Sequence, residues 1–368
     1  MPGGNGHRGN GHSAPAPDHH GRSEGPAVRA YSPGRVNLIG DHTDYNEGLA
    51  LPMAIDLGTT VTYVPDTGYR VFLRSSGEPE ATDVDVHIPM DPRTLRAVEP
   101  RWARYVAAMV AAIRPRKGGR GAVETTLPVG SGLSSSAALE VAVALALGFE
   151  AEPVTMAKLC QRAEEAATGV PAGLMDQLTV TAAIEGSALL IDFADLSMRP
   201  VPIPEGAEIL VVHSGEHRSL DRTPYAARRA ECDAAAYRLG PLGRLGADAM
   251  LGLPDALLRR RARHVVTECD RVRWCATALG AGDLVDAGRL MSASHASLSE
   301  DFDASTPALD GLVHHLQAIP GVYGARMTGA GFGGCVVVLG EPGAVDLAKL
   351  STPAWRVRPS PGAQVQVL

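Results

Sequence analysis

Aromatic residues make up only 4% of this 368-residue chain. Core volume must therefore come from Leu, Val, Ile, Ala and Met. The five cysteines, Cys160, Cys232, Cys269, Cys275 and Cys335, form no CxxC pair, which excludes a zinc knuckle or a thioredoxin-type redox site. Free thiols in a reducing cytosol are the expectation. No apolar run approaches the roughly 20 residues of a membrane span; VAVALAL at 141–147 is the longest of note. The N-terminus has no basic start followed by an apolar stretch, so no secretory signal is read there, and the expected location is cytoplasmic. Basic excess is also missing. Lys plus Arg is 34 against 41 for Asp plus Glu, a net charge of −7. Nonspecific nucleic-acid binding needs basic surface to displace phosphate counterions, so neither nucleic acid nor membrane is an expected partner.

What remains is an ordinary globular balance, 45% hydrophobic and 20% charged. At roughly 100–200 residues per domain the length implies two domains, possibly three. Residues 1–26 are rich in Gly, Pro, Ser and His and have little to bury, so a disordered tail is expected. Its histidines, His7, His12, His19 and His20, are irregularly spaced and read as solvated. Strands are expected at 57–64, 69–74, 122–127, 187–192, 208–213 and 335–339, from β-branched and apolar runs. Helical spacing of apolar residues predicts helices at 101–113, 134–149, 155–168, 223–238, 258–280, 283–298 and 306–318. This mixture fits an α+β or α/β protein of two lobes, 27–190 and 191–368, with PVPIP at 200–204 as a connection.

Four segments carry chemistry-bearing residues. LPVGSGLSSSAALEVAVALAL, 127–147, runs from a strand through a Gly-Ser turn into an apolar helix. Such a turn can cradle a phosphate on backbone N–H groups and the helix dipole, or simply cap the helix. It has no lysine, so it is not the GxxxxGK[ST] loop. SPGRVNLIGDHTDYNEGLALPMAID, 32–56, places Asp41, His42, Asp44, Tyr45 and Asn46 directly after an apolar stretch. That density of hydrogen-bonding side chains suits a polyhydroxylated ligand, and equally an exposed turn. AEEAATGVPAGLMDQLTV, 163–180, carries Glu164 on a helix and presents Asp176 beyond a glycine, as a half-buried carboxylate or a helix cap. RMTGAGFGGCVVVL, 326–339, sets a glycine cluster before a buried strand.

Taken together, these segments resemble the galactokinase branch of the GHMP small-molecule kinases. GRVNLIGDHTDYNEG is similar to the branch's sugar signature, GSGLSSSAA to the family's ATP loop and TGAGFGGC to its C-terminal glycine segment. YAARRAEC at 225–232 and ASHASL at 293–298 are similar too, and the likeness runs from about residue 30 to 340. The resemblance implies a two-lobed α+β fold, with a β-rich α/β N-terminal lobe, a ferredoxin-like C-terminal lobe and the active site between them. It implies ATP-dependent phosphorylation of a sugar's anomeric hydroxyl, most simply galactose, by a monomer. Residue by residue, it implies that Gly130, Ser131, Gly132, Leu133, Ser134, Ser135 and Ser136 wrap the ATP phosphates. Ser136 and Glu164 would hold Mg²⁺, Asp176 would be the catalytic carboxylate and Arg35 its arginine. Asp41, His42, Thr43, Asp44 and Tyr225 would contact the sugar. Asp41 stands where the family usually has a glutamate that contacts the 6-hydroxyl, which brings in an arabinose-like pentose or an amino sugar as alternative substrates. Glu165 stands where an amide or histidine is common. A non-catalytic sugar sensor is the reading of a different class, and the uninterrupted loop, Glu164 and Asp176 speak against it.

Overall fold

The computed structural model describes residues 23–128, 130–216 and 224–368. Its N-terminal half is built on a six-stranded sheet. The order is Gln364–Val367, Val28–Asn37, Pro52–Pro65, Gly119–Thr125, Arg70–Ser75 and Thr82–Asp85. All neighbours run antiparallel except the parallel pair Arg70–Ser75 and Gly119–Thr125. The helices Ala103–Ile113, Ser135–Ala146 and Pro153–Thr168 share one apolar cluster with this sheet, through Val106, Met109, Val141 and Met156 against Val61, Leu73 and Val123. The Ser135–Ala146 helix is apolar almost all round and accordingly buried. Pro153 opens the next helix, where a missing N–H costs nothing, and Gly169 closes it in a left-handed conformation, φ 75°.

The C-terminal half carries a four-stranded antiparallel sheet, ordered Val322–Thr328, Cys335–Gly340, Glu208–His213 and Ala354–Val357. With its flanking helices this is the expected ferredoxin-like lobe. Alternation along the strands divides its two faces. Leu210, Val212, Val336 and Val338 pack against Phe302, Leu309 and Val313. Val211, Val337 and Leu339 share a cluster with Val36, Ile39 and Met53 of the other half. The lobes are thus welded by apolar packing, and the chemistry-bearing loops gather along this seam. Among the described residues no helix is long and apolar enough to cross a membrane, and all five cysteines are buried and free.

The boundary at 190 falls inside a hairpin, Ser187–Asp192 with Ser197–Pro202, which pairs with Leu49–Ala50 in a small third sheet. Pro200 and Pro202 are tolerated there because their strand lies at the sheet edge, so PVPIP is partly strand and not only a connection. The last strand, Gln364–Val367, belongs to the first sheet and pairs with Val28–Tyr31. At the other end, the expected tail of 1–26 lies outside the described residues up to 22. Ser23 already bridges to Asp66, and the Glu24 N–H donates to the Pro65 carbonyl.

Candidate active site

The site is organised by Arg35, on the first strand. The register of that strand shifts between Pro33 and Arg35, a bulge that re-aims the side chain. Gly34 permits it, since a Cβ there would lie 2.7 Å from the Leu133 carbonyl oxygen. Arg35 donates from Nε and Nη2 to the two oxygens of Asp176, at 2.7 and 2.6 Å, a fork that matches a carboxylate's geometry. Its Nη1 donates to the Gly132 carbonyl at 2.7 Å, and its backbone N–H to the Leu133 carbonyl. Asp176 sits in the first turn of the helix Met175–Ala182, where the helix dipole favours an anion. The Ser134 hydroxyl also donates to Asp176, at 2.5 Å. The loop, Arg35 and Asp176 therefore form one hydrogen-bonded unit.

Gly130 and Gly132 adopt φ of 73° and 77°, which lets the loop fold tightly before the helix that opens at Ser135. Val129 lies outside the described residues. Ser131 turns its hydroxyl back onto the Pro128 carbonyl and is buried, so its side chain shapes the loop. At the second residue of the helix, the Ser136 hydroxyl donates to Glu164 Oε1 at 2.7 Å, and Gln177 Nε2 donates to Glu164 Oε2 at 2.6 Å. Burial raises the Glu164 pKa, and the Ser136 hydrogen bond opposes that shift. A hydroxyl and a carboxylate this close are hard oxygen donors of the kind magnesium accepts.

The other wall comes from the turn after the first strand and the helix Pro224–Leu239. His42, in a left-handed conformation (φ 64°), lies 4.4 Å from the Phe302 ring and 5.7 Å from that of Tyr225. Its Nδ1 meets the Tyr45 hydroxyl at 2.9 Å and its Nε2 the Ala330 carbonyl at 3.2 Å. Nε2 must donate to that carbonyl, which leaves Nδ1 to accept from the tyrosine. Half-buried Asp44 stands next to the turn that leads into Asp176, with Met175 N–H at 3.5 Å. Loss of solvation pushes the Asp44 carboxyl up to about 6, the charge of Asp176 adds to this, and the Met175 N–H pulls the other way. Burial and then Asp44 push the Tyr225 phenol up.

Asp41 and Thr43 point elsewhere. Thr43 is fully buried and its hydroxyl contacts the Gly40 and Leu49 carbonyls, so it holds the turn together and does not face the cavity. Asp41 is 1% exposed; its Oδ1 accepts from the Gly329 N–H at 3.0 Å and its Oδ2 pairs with Arg326 at 2.6 Å. The aspartate therefore ties the sugar-signature turn to the C-terminal glycine loop, and any hold on a sugar 6-hydroxyl has to compete with Arg326.

Gly173, Gln177 and Arg326 carried no assigned role in the sequence, and Glu165 stood out only as a departure from the family pattern. Gly173 lies so close to Asp44 that a Cβ there would fall 1.7 Å from Oδ2. Glu165 accepts from the Ala172 N–H at 3.0 Å and so clamps the same turn, which accounts for a carboxylate at that position. Gln177 orients Glu164. Arg326, in a strand that reads as core, is wholly buried and also donates to the Asn37 carbonyl.

A prediction follows from Asp44. Ionised, it accepts charge-assisted hydrogen bonds from ligand hydroxyls on both oxygens; protonated, it keeps only a neutral, weaker acceptor and turns one oxygen into a donor. The kcat/KM for a neutral sugar, measured at saturating nucleotide from pH 5 to 8, should fall as pH drops through about 6. A profile flat across that range would remove Asp44 from the ligand wall.

Comparison with known proteins agrees with this geometry. Residues 18–65 match the galactokinase galactose-binding signature, 103–184 the GHMP kinases N terminal domain and 275–351 the GHMP kinases C terminal domain. The chain is 40% identical to the galactokinase of Homo sapiens over 333 residues, covering 87% of this chain and 85% of that one. It is 42% identical to the galactokinase of Chloroflexus aggregans over 347 residues, covering 87% and 86%. The crystal structure of Lactococcus lactis galactokinase complexed with galactose superposes with a TM-score of 0.83 at 29% identity, covering 92% and 95% of the two chains. The crystal structure of L. major mevalonate kinase in complex with R-mevalonate, at 18% identity and a TM-score of 0.62, shares the fold alone.

Proposed function

Since the chain belongs to the galactokinase family of the GHMP kinases, we propose that Arg35 and Asp176 carry out its chemical step and that Asp44, His42 and Tyr225 form the sugar wall. The reaction is that of a galactose 1-kinase: the γ-phosphoryl group of ATP passes to the anomeric hydroxyl of galactose, giving galactose 1-phosphate and ADP. The observation that carries the assignment of roles is the forked Arg35–Asp176 pair, closed on one side by the loop at Gly132 and Ser134. Asp176 accepts the proton of the 1-hydroxyl as its oxygen bonds to phosphorus and the bond to the leaving ADP oxygen breaks. Arg35 orients that carboxylate and offsets charge on the phosphoryl group in flight. Backbone groups of 130–136 and the helix that starts at Ser135 receive the ATP phosphates.

Ser136 and Glu164, hard oxygen donors 2.7 Å apart, would hold a magnesium ion. Such an ion neutralises phosphate charge when bound. Ser136→Ala and Glu164→Gln should each raise the Mg²⁺ concentration needed for half-maximal rate by roughly tenfold, the effect of about 1.4 kcal/mol of lost ligand energy. Unchanged Mg²⁺ dependence in both variants would move the metal away from this pair.

We read the protein as a monomer, and its consumption of ATP and free sugar suits the cytoplasm. The role assignment is tested by coupled ADP release over galactose, L-arabinose, galactosamine and glucose. Galactose should give the highest kcat/KM. A preference for arabinose would follow from Asp41 being held by Arg326 and would make this member a pentose kinase. Galactose binding without ADP release would make it a sensor.

A further inference from the structure

We propose that Arg229 is a positioning residue for galactose, holding the sugar wall in register by tying the helix Pro224–Leu239 to the turn before Asp176 and setting a cation against Asp44. The inference rests on the galactose 1-kinase reading and adds to it a residue that the Arg35–Asp176 chemistry does not use.

Arg229 stands one turn after Tyr225, so the two side chains share a helix face. Its Nη1 donates to the Ala172 carbonyl at 3.3 Å, and its guanidinium carbon lies 5.2 Å from the centre of the Tyr45 ring. The positive charge of the same side chain acts on both Tyr225 and Asp44 and favours their ionised forms. One planar group thus touches the helix, the signature turn and the Ala172–Met175 turn, which no other side chain described above does. Ala172 is held from both sides, its N–H by Glu165 and its carbonyl by Arg229 together with Gln161 Nε2 at 3.0 Å. The next residue, Gly173, is the one packed against Asp44.

Charge supports the same role. Asp44 and Asp176 are two carboxylates close enough for the charge of one to act on the other. Arg35 is committed to Asp176 by both prongs. The neighbouring Arg228 is committed to Asp303 and Glu231 and cannot serve Asp44. Among the described residues, the titratable and charged groups around Asp44 are Asp176 from the helix Met175–Ala182, His42 and Tyr45 from its own turn, and Tyr225 and Arg229 from the helix Pro224–Leu239. Arg229 is the cation of that set. Half-buried, it is screened less than a surface charge would be. An arginine has the planar donors to serve a carbonyl and a phenol together while covering an aromatic face, and a lysine does not.

The test is steady-state kinetics on the full chain with Arg229→Met, Arg229→Gln and Arg229→Lys, together with melting temperatures. Arg229→Met should raise the galactose KM by roughly tenfold or more, about 1.4 kcal/mol of binding per decade, with kcat within about threefold and ATP KM unchanged. Arg229→Gln, which keeps donors and drops the charge, should shift the acid limb of kcat/KM for galactose to higher pH. Arg229→Lys should recover part of the lost affinity. A residue that only stabilised the helix would lower the melting temperature and leave the KM of the folded fraction intact. An unchanged galactose KM in Met and Gln variants, or equal losses toward galactose and ATP, would overturn the inference while leaving a galactose kinase in place. A wild type with no galactose-dependent ADP release would overturn the functional reading and this inference with it.

Discussion

Asp176→Asn is expected to lower kcat by roughly 10²- to 10⁴-fold, the usual contribution of a positioned proton acceptor, with ATP binding largely intact. The asparagine keeps the size of the side chain and removes its charge. Arg35 then loses the partner it holds at 2.6 and 2.7 Å, and the Ser134 hydroxyl loses an anionic acceptor. The anomeric hydroxyl would meet an amide that can orient it and cannot take its proton. Nucleotide affinity should be spared, because the carboxylate is not one of the groups assigned to the phosphates. The measurement is kcat by coupled ADP release beside nucleotide binding by calorimetry. Near-normal turnover would show that Asp176 is dispensable and that Arg35 with the loop does the work.

Gly173→Ala is expected to raise the galactose KM by roughly a hundredfold or more, equal to about 2.8 kcal/mol of lost binding. The cause is steric. A methyl group at this position would lie 1.7 Å from Asp44 Oδ2 and 2.6 Å from its Cγ, closer than any real contact. Either Asp44 rotates out of the wall, or the turn moves and carries Met175 and Asp176 with it. The turn is pinned by Glu165 on the Ala172 N–H, which favours displacement of Asp44. Galactose affinity measured without nucleotide isolates the effect from chemistry. Retention of the wild-type galactose affinity would mean that Asp44 takes no part in holding the sugar.

The helices were legible because their apolar spacing persists over several turns, as in Ala103–Ile113 and Ala256–Ala281. The loops were legible because glycine, serine and aspartate concentrate in them for local reasons of turn geometry. Distance was not legible. Nothing around Arg35 says that its partner lies 141 positions away, and the bulge that aims it depends on a register set by another strand. Arg326 stands in VYGARMT between apolar neighbours and reads as core; only the packed fold shows Asp41 beside it. Thr43 shows the opposite. It belongs to the signature segment, and the two carbonyls that occupy its hydroxyl come from the turn's own backbone and from Leu49 after it. The helix Met175–Ala182 went unread because it is short and follows a Gly-Pro-Gly break.

The pairing of Val28–Tyr31 with Gln364–Val367 also sets an order of events in the making of the protein. The first strand leaves the ribosome early, and its outer neighbour follows only after the whole C-terminal lobe has been synthesised. At about 5–20 residues per second that interval is on the order of tens of seconds. Throughout it the nascent first sheet has an unpaired edge, the kind of surface that recruits stray strands. Completion of the N-terminal lobe is therefore a late step, and translation delivers the two lobes as one folding unit rather than as two finished in sequence.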